Sequence, residues 1–108
     1  MAKFQGTYEV EKQEAEVFFI DVDFAEHIAS GEAIVIGNCS ALMIRKSDDQ
    51  DMSTTMISSG TLATMDTTKL KVQIKGGSLD DKEYILSIRC GTDVDNVFEE
   101  DILITMRS

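Results

Sequence analysis

The most reactive side chains in this sequence are two cysteines, Cys39 and Cys90, and a single histidine, His27. Two thiols and one imidazole cannot supply the four ligands of a structural zinc site. A thiol nucleophile needs a base beside it, and no catalytic motif surrounds His27. These residues predict neither a metal centre nor an active site, so we expect a protein that is not an enzyme and has no cofactor.

The aspartates include two alternating pairs, Asp21/Asp23 and Asp93/Asp95, whose spacing could place oxygen ligands around a calcium ion. Counting from Asp93, the fifth loop position is Val97 instead of Asp or Asn, and the sixth position lacks glycine. Alternating aspartates on a strand are ordinarily its solvent face. We therefore interpret both pairs as surface charge.

The net charge of −10 comes from 20 acidic and 10 basic residues. Such a charge repels phosphate backbones and anionic membrane surfaces, and no apolar run approaches the ~18 residues of a membrane span. We expect no nucleic-acid partner and no membrane partner. Residues 1–6 lack the apolar centre of a secretion signal, which predicts cytoplasmic synthesis and free thiols at Cys39 and Cys90.

Alternation of apolar and polar residues indicates that strands must position these groups. The clearest strands are residues 17–24, 70–75 and 84–90, with Val72, Ile74, Leu86 and Ile88 among the inward-facing residues. One helical turn is predicted at 25–29. A further strand is predicted to start near residue 33 and to resume over 39–44. Two weak strands are predicted over 52–57 and 61–65, and a last strand is predicted from about residue 97.

About seven short strands with almost no helix predict an all-β fold, an antiparallel sandwich in preference to a barrel. Tyr84 opens the next-to-last strand, where immunoglobulin-like domains carry a tyrosine whose hydroxyl bonds back to the preceding loop. An ordinary core tyrosine is the alternative. Cys39 and Cys90 fall on the second and next-to-last predicted strands, roughly where a disulfide could join two sheets.

The first sixteen residues are more polar than the rest, which predicts an N-terminal arm over 1–16 and a sandwich domain over 17–108. An arm of this kind either orders on a partner or is a loose terminus. Within it, Tyr8 and Val10 alternate with Glu9 and Glu11. We expect these four residues to form an interface, with Tyr8 and Val10 as its anchors.

Short motifs run through most of the chain from Lys12 onward. They are Lys-Gln-Glu-Ala-Glu-Val at 12–17, Ile-Asp-Val-Asp-Phe at 20–24, Ser-Gly-Glu-Ala-Ile at 30–34, Lys-Gly-Gly at 75–77, and Tyr84. Together they resemble small immunoglobulin-like bacteriophage structural proteins, some of which are labelled fibre-tail adaptor proteins. Members of that group often have tryptophan where Phe24 stands, and Trp-Leu-Ser where this chain has Gln73-Ile74-Lys75.

The resemblance implies a virion structural protein that is present in several copies, or as a homo-oligomer, and is assembled in the host cytoplasm. Its implied partners are other virion proteins of the capsid, connector, tail or fibre. The alternative is a binding or adhesion module of a larger bacterial surface protein. That alternative predicts secretion and an oxidised Cys39–Cys90 pair.

Overall fold

The computed structural model describes residues 8–108, which form two β-sheets packed face to face. One sheet has four strands in the order β1-β7-β6-β3, and the other has three in the order β2-β5-β4. The elements are β1 (Tyr8–Lys12), β2 (Phe18–Asp23), β3 (Ser40–Arg45), α1 (Ser53–Met56), β4 (Ala63–Thr64), β5 (Lys69–Ile74), β6 (Glu83–Gly91) and β7 (Val97–Met106), with 3₁₀ turns at Ile36–Asn38 and Leu79–Asp81.

The core lies between the sheets and is built from the inner face of each strand. Ile20 of β2 lies opposite Val72 of β5, and Met43 of β3 lies opposite Leu86 of β6. Burying such a side chain is worth about 1.5–3 kcal/mol each. The predicted inward positions of β5 and β6 are confirmed, since Val72, Ile74, Leu86 and Ile88 are all buried.

Two of the predicted strands have a different structure. Residues 53–56 form the short helix α1, whose first residue, Ser53, donates its backbone N–H to the Asp51 carboxylate. A strand over 52–57 and a helical turn would both bury Met56 in the core. The apolar pattern of so few residues therefore could not distinguish the two. The segment near residue 33 contributes only the isolated bridge between Ile34 and Thr92.

The segment predicted as a separate arm contains a strand of the sandwich. Residues 8–12 form β1, which pairs in parallel with β7. Val10 packs against the core, and Lys12 is buried. Residues 1–7 lie outside the described residues. The sandwich therefore includes residues 8–12, because two apolar side chains alternating with charged ones suffice for an edge strand.

Buried Lys12 organises one end of the sandwich. Its ammonium donates hydrogen bonds to the carbonyls of Gln13 (2.9 Å), Glu14 (3.4 Å) and Gly76 (2.6 Å). Burial lowers the pKa of Lys12, and the nearby carboxylates of Glu16 and Glu14 act in the opposite direction. The side chain thus ties the turn between β1 and β2 to the turn after β5.

The two cysteines belong to the same sheet. Cys39 directly precedes β3, Cys90 lies in β6, and these two strands are hydrogen-bonded neighbours. The interpretation that the two cysteines lie on different sheets was therefore wrong, because spacing along a chain does not say which sheet a strand joins. Both cysteines are free thiols in the structure.

Candidate docking surface

Two loops at one end of the sandwich, residues 24–39 and 91–96, are joined by backbone hydrogen bonds. The N–H of Val35 donates to the Gly91 carbonyl (2.9 Å), and the N–H of Asp93 donates to the Ala33 carbonyl (3.0 Å). The Asp93 carboxylate also accepts from the N–H of Ala33 (3.1 Å). The loops thus form a short ribbon that continues beyond the four-stranded sheet.

A buried carboxylate fixes this ribbon. Glu32 accepts hydrogen bonds from the Thr92 hydroxyl (2.5 Å), the Asn96 side-chain amide (2.9 Å) and the N–H of Ala29 (2.9 Å). These bonds, with that from Thr92 the largest contribution, lower the pKa of Glu32, although desolvation opposes them. At neutral pH an ionised Glu32 therefore holds both loops in one arrangement.

Gly91 allows the loops to approach closely. A Cβ atom at this position would lie 2.5 Å from the Asn38 Cβ and 2.6 Å from the Asn38 carbonyl oxygen. The 3₁₀ turn Ile36–Asn38 occupies the space that a larger residue would need. The close fit of this turn against β6 thus depends on a glycine.

Four exposed aliphatic side chains lie on the joined loops and on the first residue of β7, and we call them the loop-end surface. Val94 is 57% and Val97 61% exposed, and Val35 and Ile36 are also exposed. Single exposed apolar residues are common on proteins, whereas a group of them at one end of a domain is a candidate contact surface. Because the loops are already ordered, a partner would not have to order them on binding.

A groove of about 530 Å³ lies beside these loops. Its lining includes three carboxylates, Asp23, Glu26 and Glu100, together with the ring of Tyr8. His27 also lines it, stacks on Phe98 with ring centroids 5.3 Å apart, and has Nε2 3.8 Å from a carboxylate oxygen of Glu100. The groove is therefore acidic and would favour a basic side chain of a partner.

The four residues predicted as an interface occupy two faces of β1. Tyr8 lines the groove, whereas Val10 on the same face packs against the core of this chain. Glu9 and Glu11 are exposed, and Glu11 lies 3.4 Å from the Arg107 guanidinium. The alternation of these residues along β1 agrees with the sequence pattern. Their contact with a partner stays a prediction.

The loop-end surface was not predicted from the sequence. Its apolar residues stand in loops rich in Gly, Asn and Asp, as in Val35-Ile36-Gly37-Asn38. Exposed apolar residues inside such turn segments are a signal that could have indicated it. Their grouping could not be read from the sequence, because it depends on pairing between segments about sixty residues apart.

Two of the four paired aspartates, Asp23 and Asp93, make structural hydrogen bonds. Asp21 lies opposite Lys71 in the sheet register, and the Asp23 carboxylate accepts from the N–H of Ala25 (2.8 Å). Asp93 holds the loop ribbon, as described above. Within residues 8–108, no group of three or more His, Cys, Asp or Glu side chains is arranged to hold a metal ion.

Tyr84 stabilises the opposite end of the sandwich. Its hydroxyl accepts from the N–H of Ser78 (2.8 Å) and donates to the Asp81 carboxylate (2.6 Å). Burial, followed by the charge and hydrogen bond of Asp81, raises the pKa of Tyr84 to about 12. The predicted bond back to the preceding loop is confirmed. Two residues later, where antibody domains have a disulfide cysteine, this chain has Leu86.

Comparison with solved structures places this architecture in a known fold class. The chain is similar to the structure of murine CRIg, with a TM-score of 0.57 and 13% sequence identity over 96% of each chain. The ZIG-8 IG1 homodimer structure gives 0.43 and 7%, covering 98% of this chain and 85% of that one. The first Ig-like domain of human CD48 gives 0.41 and 12%, covering 99% and 88%. No protein-family model and no curated protein matches the chain.

The fold is an immunoglobulin-like β-sandwich, as predicted. In the described part of the chain, every helix is too short or too polar to cross a membrane.

Proposed function

We propose that this chain is a non-enzymatic protein-binding module that docks on another protein through the loop-end surface. The observation that supports this function is the ordered display of exposed aliphatic side chains on two loops joined through buried Glu32. Contacts of this kind bury apolar area without a large ordering cost, which is the requirement for a stable interface.

The charge of the neighbouring groove suggests the chemistry of the partner. Glu26, Asp23 and Glu100 border the groove, and the whole chain carries a net charge of −10. A partner with an apolar patch bordered by lysine or arginine would complement both features. The aliphatic contacts would supply most of the affinity, and the charges would speed association and align the two proteins.

The setting that we propose is a bacteriophage particle, assembled in the host cytoplasm. The support is the resemblance of motifs such as residues 20–24 and 75–77 to small immunoglobulin-like virion proteins. The partner is then a capsid, connector, tail or fibre protein. If the chain forms a homo-oligomer, the first docked subunit would raise the effective concentration of the linked subunits, so that individually weak contacts would give stable attachment.

The test replaces an exposed residue of the loop-end surface by a charge. Val94→Asp should fold normally, because Val94 is exposed, and should be recovered in assembled particles at a level at least tenfold below wild type. The matched control is Leu79→Asp, which changes an exposed apolar residue in the loop before Tyr84. Melting temperatures and the amount of protein per purified particle would be measured for both variants.

The control should be incorporated like wild type. Equal incorporation of the two variants and the wild type would contradict docking through the loop-end surface. Absence of the wild-type protein from particles would contradict the virion setting and leave the binding surface to be tested on another partner.

A further inference from the structure

Cys39 and Cys90 face each other across two neighbouring strands. In the register of β3 and β6, Ser40 lies opposite Arg89, so the next position pairs Cys39 with Cys90. The two thiols are close enough to interact directly. The Cys39 thiol also lies 3.3 Å from the Val35 carbonyl oxygen and 3.9 Å from that of Gly91.

The backbone hydrogen bonds identify the type of pair. Met43 of β3 directs its N–H to the Ser53 hydroxyl and its carbonyl to the N–H of Met52, both away from β6. Cys39 belongs to the same alternating series, and its N–H bonds to the Ile36 carbonyl. Cys39 and Cys90 are therefore a non-hydrogen-bonded pair of an antiparallel ladder.

A non-hydrogen-bonded pair of this type has the spacing that a disulfide requires. Non-hydrogen-bonded residues have Cα atoms about 4.5 Å apart, within the range of about 4.4–6.8 Å seen for disulfides. Both side chains leave the sheet on the same face, since directly opposite residues always do. A bond between the two sulfurs would thus need no change in strand pairing.

The two thiols differ in accessibility. Cys39 is half-buried, whereas Cys90 is fully buried in the core. Burial and the neighbouring Cys39 sulfur raise the pKa of Cys90 to about 11. An oxidant from solution would therefore meet Cys39 first, and Cys90 would act as the second, resolving thiol.

We propose that Cys39 and Cys90 are an oxidation site at which a small disulfide, glutathione disulfide, produces a cross-strand disulfide within the four-stranded sheet. In the first step the Cys39 thiolate attacks glutathione disulfide, forms a mixed disulfide and releases one glutathione. In the second step the Cys90 thiolate attacks the Cys39 sulfur and releases the second glutathione. The two protein thiols are oxidised, glutathione disulfide is reduced, and the two thiol protons end on the two glutathiones.

The disulfide would restrain the two loops of the loop-end surface and raise the stability. A Cys39–Cys90 bond would join the start of β3, directly after the 3₁₀ turn, to β6 just before Gly91. The closed loop would span most of the central part of the chain and restrict the unfolded state. The bond would therefore link the end of the loop that carries Val35 directly to the strand that leads into the loop with Val94.

To test this, the purified, reduced full-length protein would be treated with glutathione disulfide and analysed by mass spectrometry. We expect the wild type to lose two hydrogens, to carry no glutathione, and to give a linked peptide pair containing Cys39 and Cys90. Its melting temperature should rise by at least about 5 °C and return to the starting value after reduction.

Two variants separate the steps. Cys90→Ala should accept one glutathione at Cys39 and keep it, because no resolving thiol is present. Cys39→Ala should react at least tenfold more slowly, because Cys90 is buried. A wild-type protein that keeps two free thiols, stops at the mixed disulfide or forms disulfide-linked dimers would overturn the proposal, whatever the variants do.

Discussion

At both ends of the sandwich a buried polar side chain is hydrogen-bonded to loop residues, but the two ends differ in what these bonds hold in place. At the end that carries Tyr84, the Tyr84 hydroxyl and the Lys12 ammonium are hydrogen-bonded to loop backbone, and Leu79 is exposed in the loop before Tyr84. At the loop end, buried Glu32 captures Thr92 and Asn96, and aliphatic side chains are left exposed. The hydrogen bonds of the first end thus hold its turns together, whereas those of the second end also fix the loops that carry the loop-end surface.

The difference shows that a buried polar group does not by itself mark a functional site. Glu32 and Tyr84 are both buried with their hydrogen bonds satisfied, as buried polar groups generally are. At the loop end, the hydrogen-bonded network joins two loops that carry several exposed aliphatic side chains. Substitutions at either end should therefore lower the stability, whereas only substitutions at the loop end should weaken binding to a partner.

The largest effect on stability is expected at the end that Lys12 organises. Lys12→Ala leaves the carbonyls of Gln13, Glu14 and Gly76 without their donor and removes packed methylene groups, which should lower the free energy of unfolding by about 3 kcal/mol. Urea denaturation would measure it. Lys69→Ala is the control and should change stability by less than about 0.5 kcal/mol. Equal values would mean that β1 contributes little to this end.

A smaller effect is expected from crowding at the loop end. Gly91→Ala places a Cβ against Asn38 and should displace the 3₁₀ turn, at a cost of about 1–3 kcal/mol. Gly37→Ala is the matched control, because a Cβ there would meet open space. Thermal melts would compare the two variants. If the control lost as much stability, the close fit of the turn against β6 would not be the cause.

The smallest effects are expected in pH dependence, where the two ends should respond at opposite extremes. The pKa of Glu32 lies below its usual 4.5, so its contribution is complete above that pH and is lost as pH falls through the folded-state pKa. The pKa of Tyr84 is raised from 10.0 to about 12, so its contribution is present below pH 10 and lost as pH rises toward 12.

Melting temperatures measured across the pH range would test this contrast. Glu32→Gln should flatten the acid limb of the stability profile and leave the alkaline limb unchanged. Tyr84→Phe should do the reverse. A profile in which either substitution flattened both limbs would show that the two ends do not act independently.

The sequence alone determined the local elements of this protein. Alternation identified β2, β5 and β6 and their inward residues, because side chains on a strand change face at every residue. The position of Tyr84 at the start of the next-to-last strand predicted its bond to the loop before it, because that contact spans only a few residues.

Only the tertiary structure decided which elements meet. It placed Cys39 and Cys90 opposite each other in one sheet, joined β1 to β7, and grouped Val35 with Val94 at one end. Each of these results depends on strand pairing between segments far apart in the chain. Alternation states which face of a strand is apolar, but it carries no information about the neighbouring strand, and that is set by packing of the whole core.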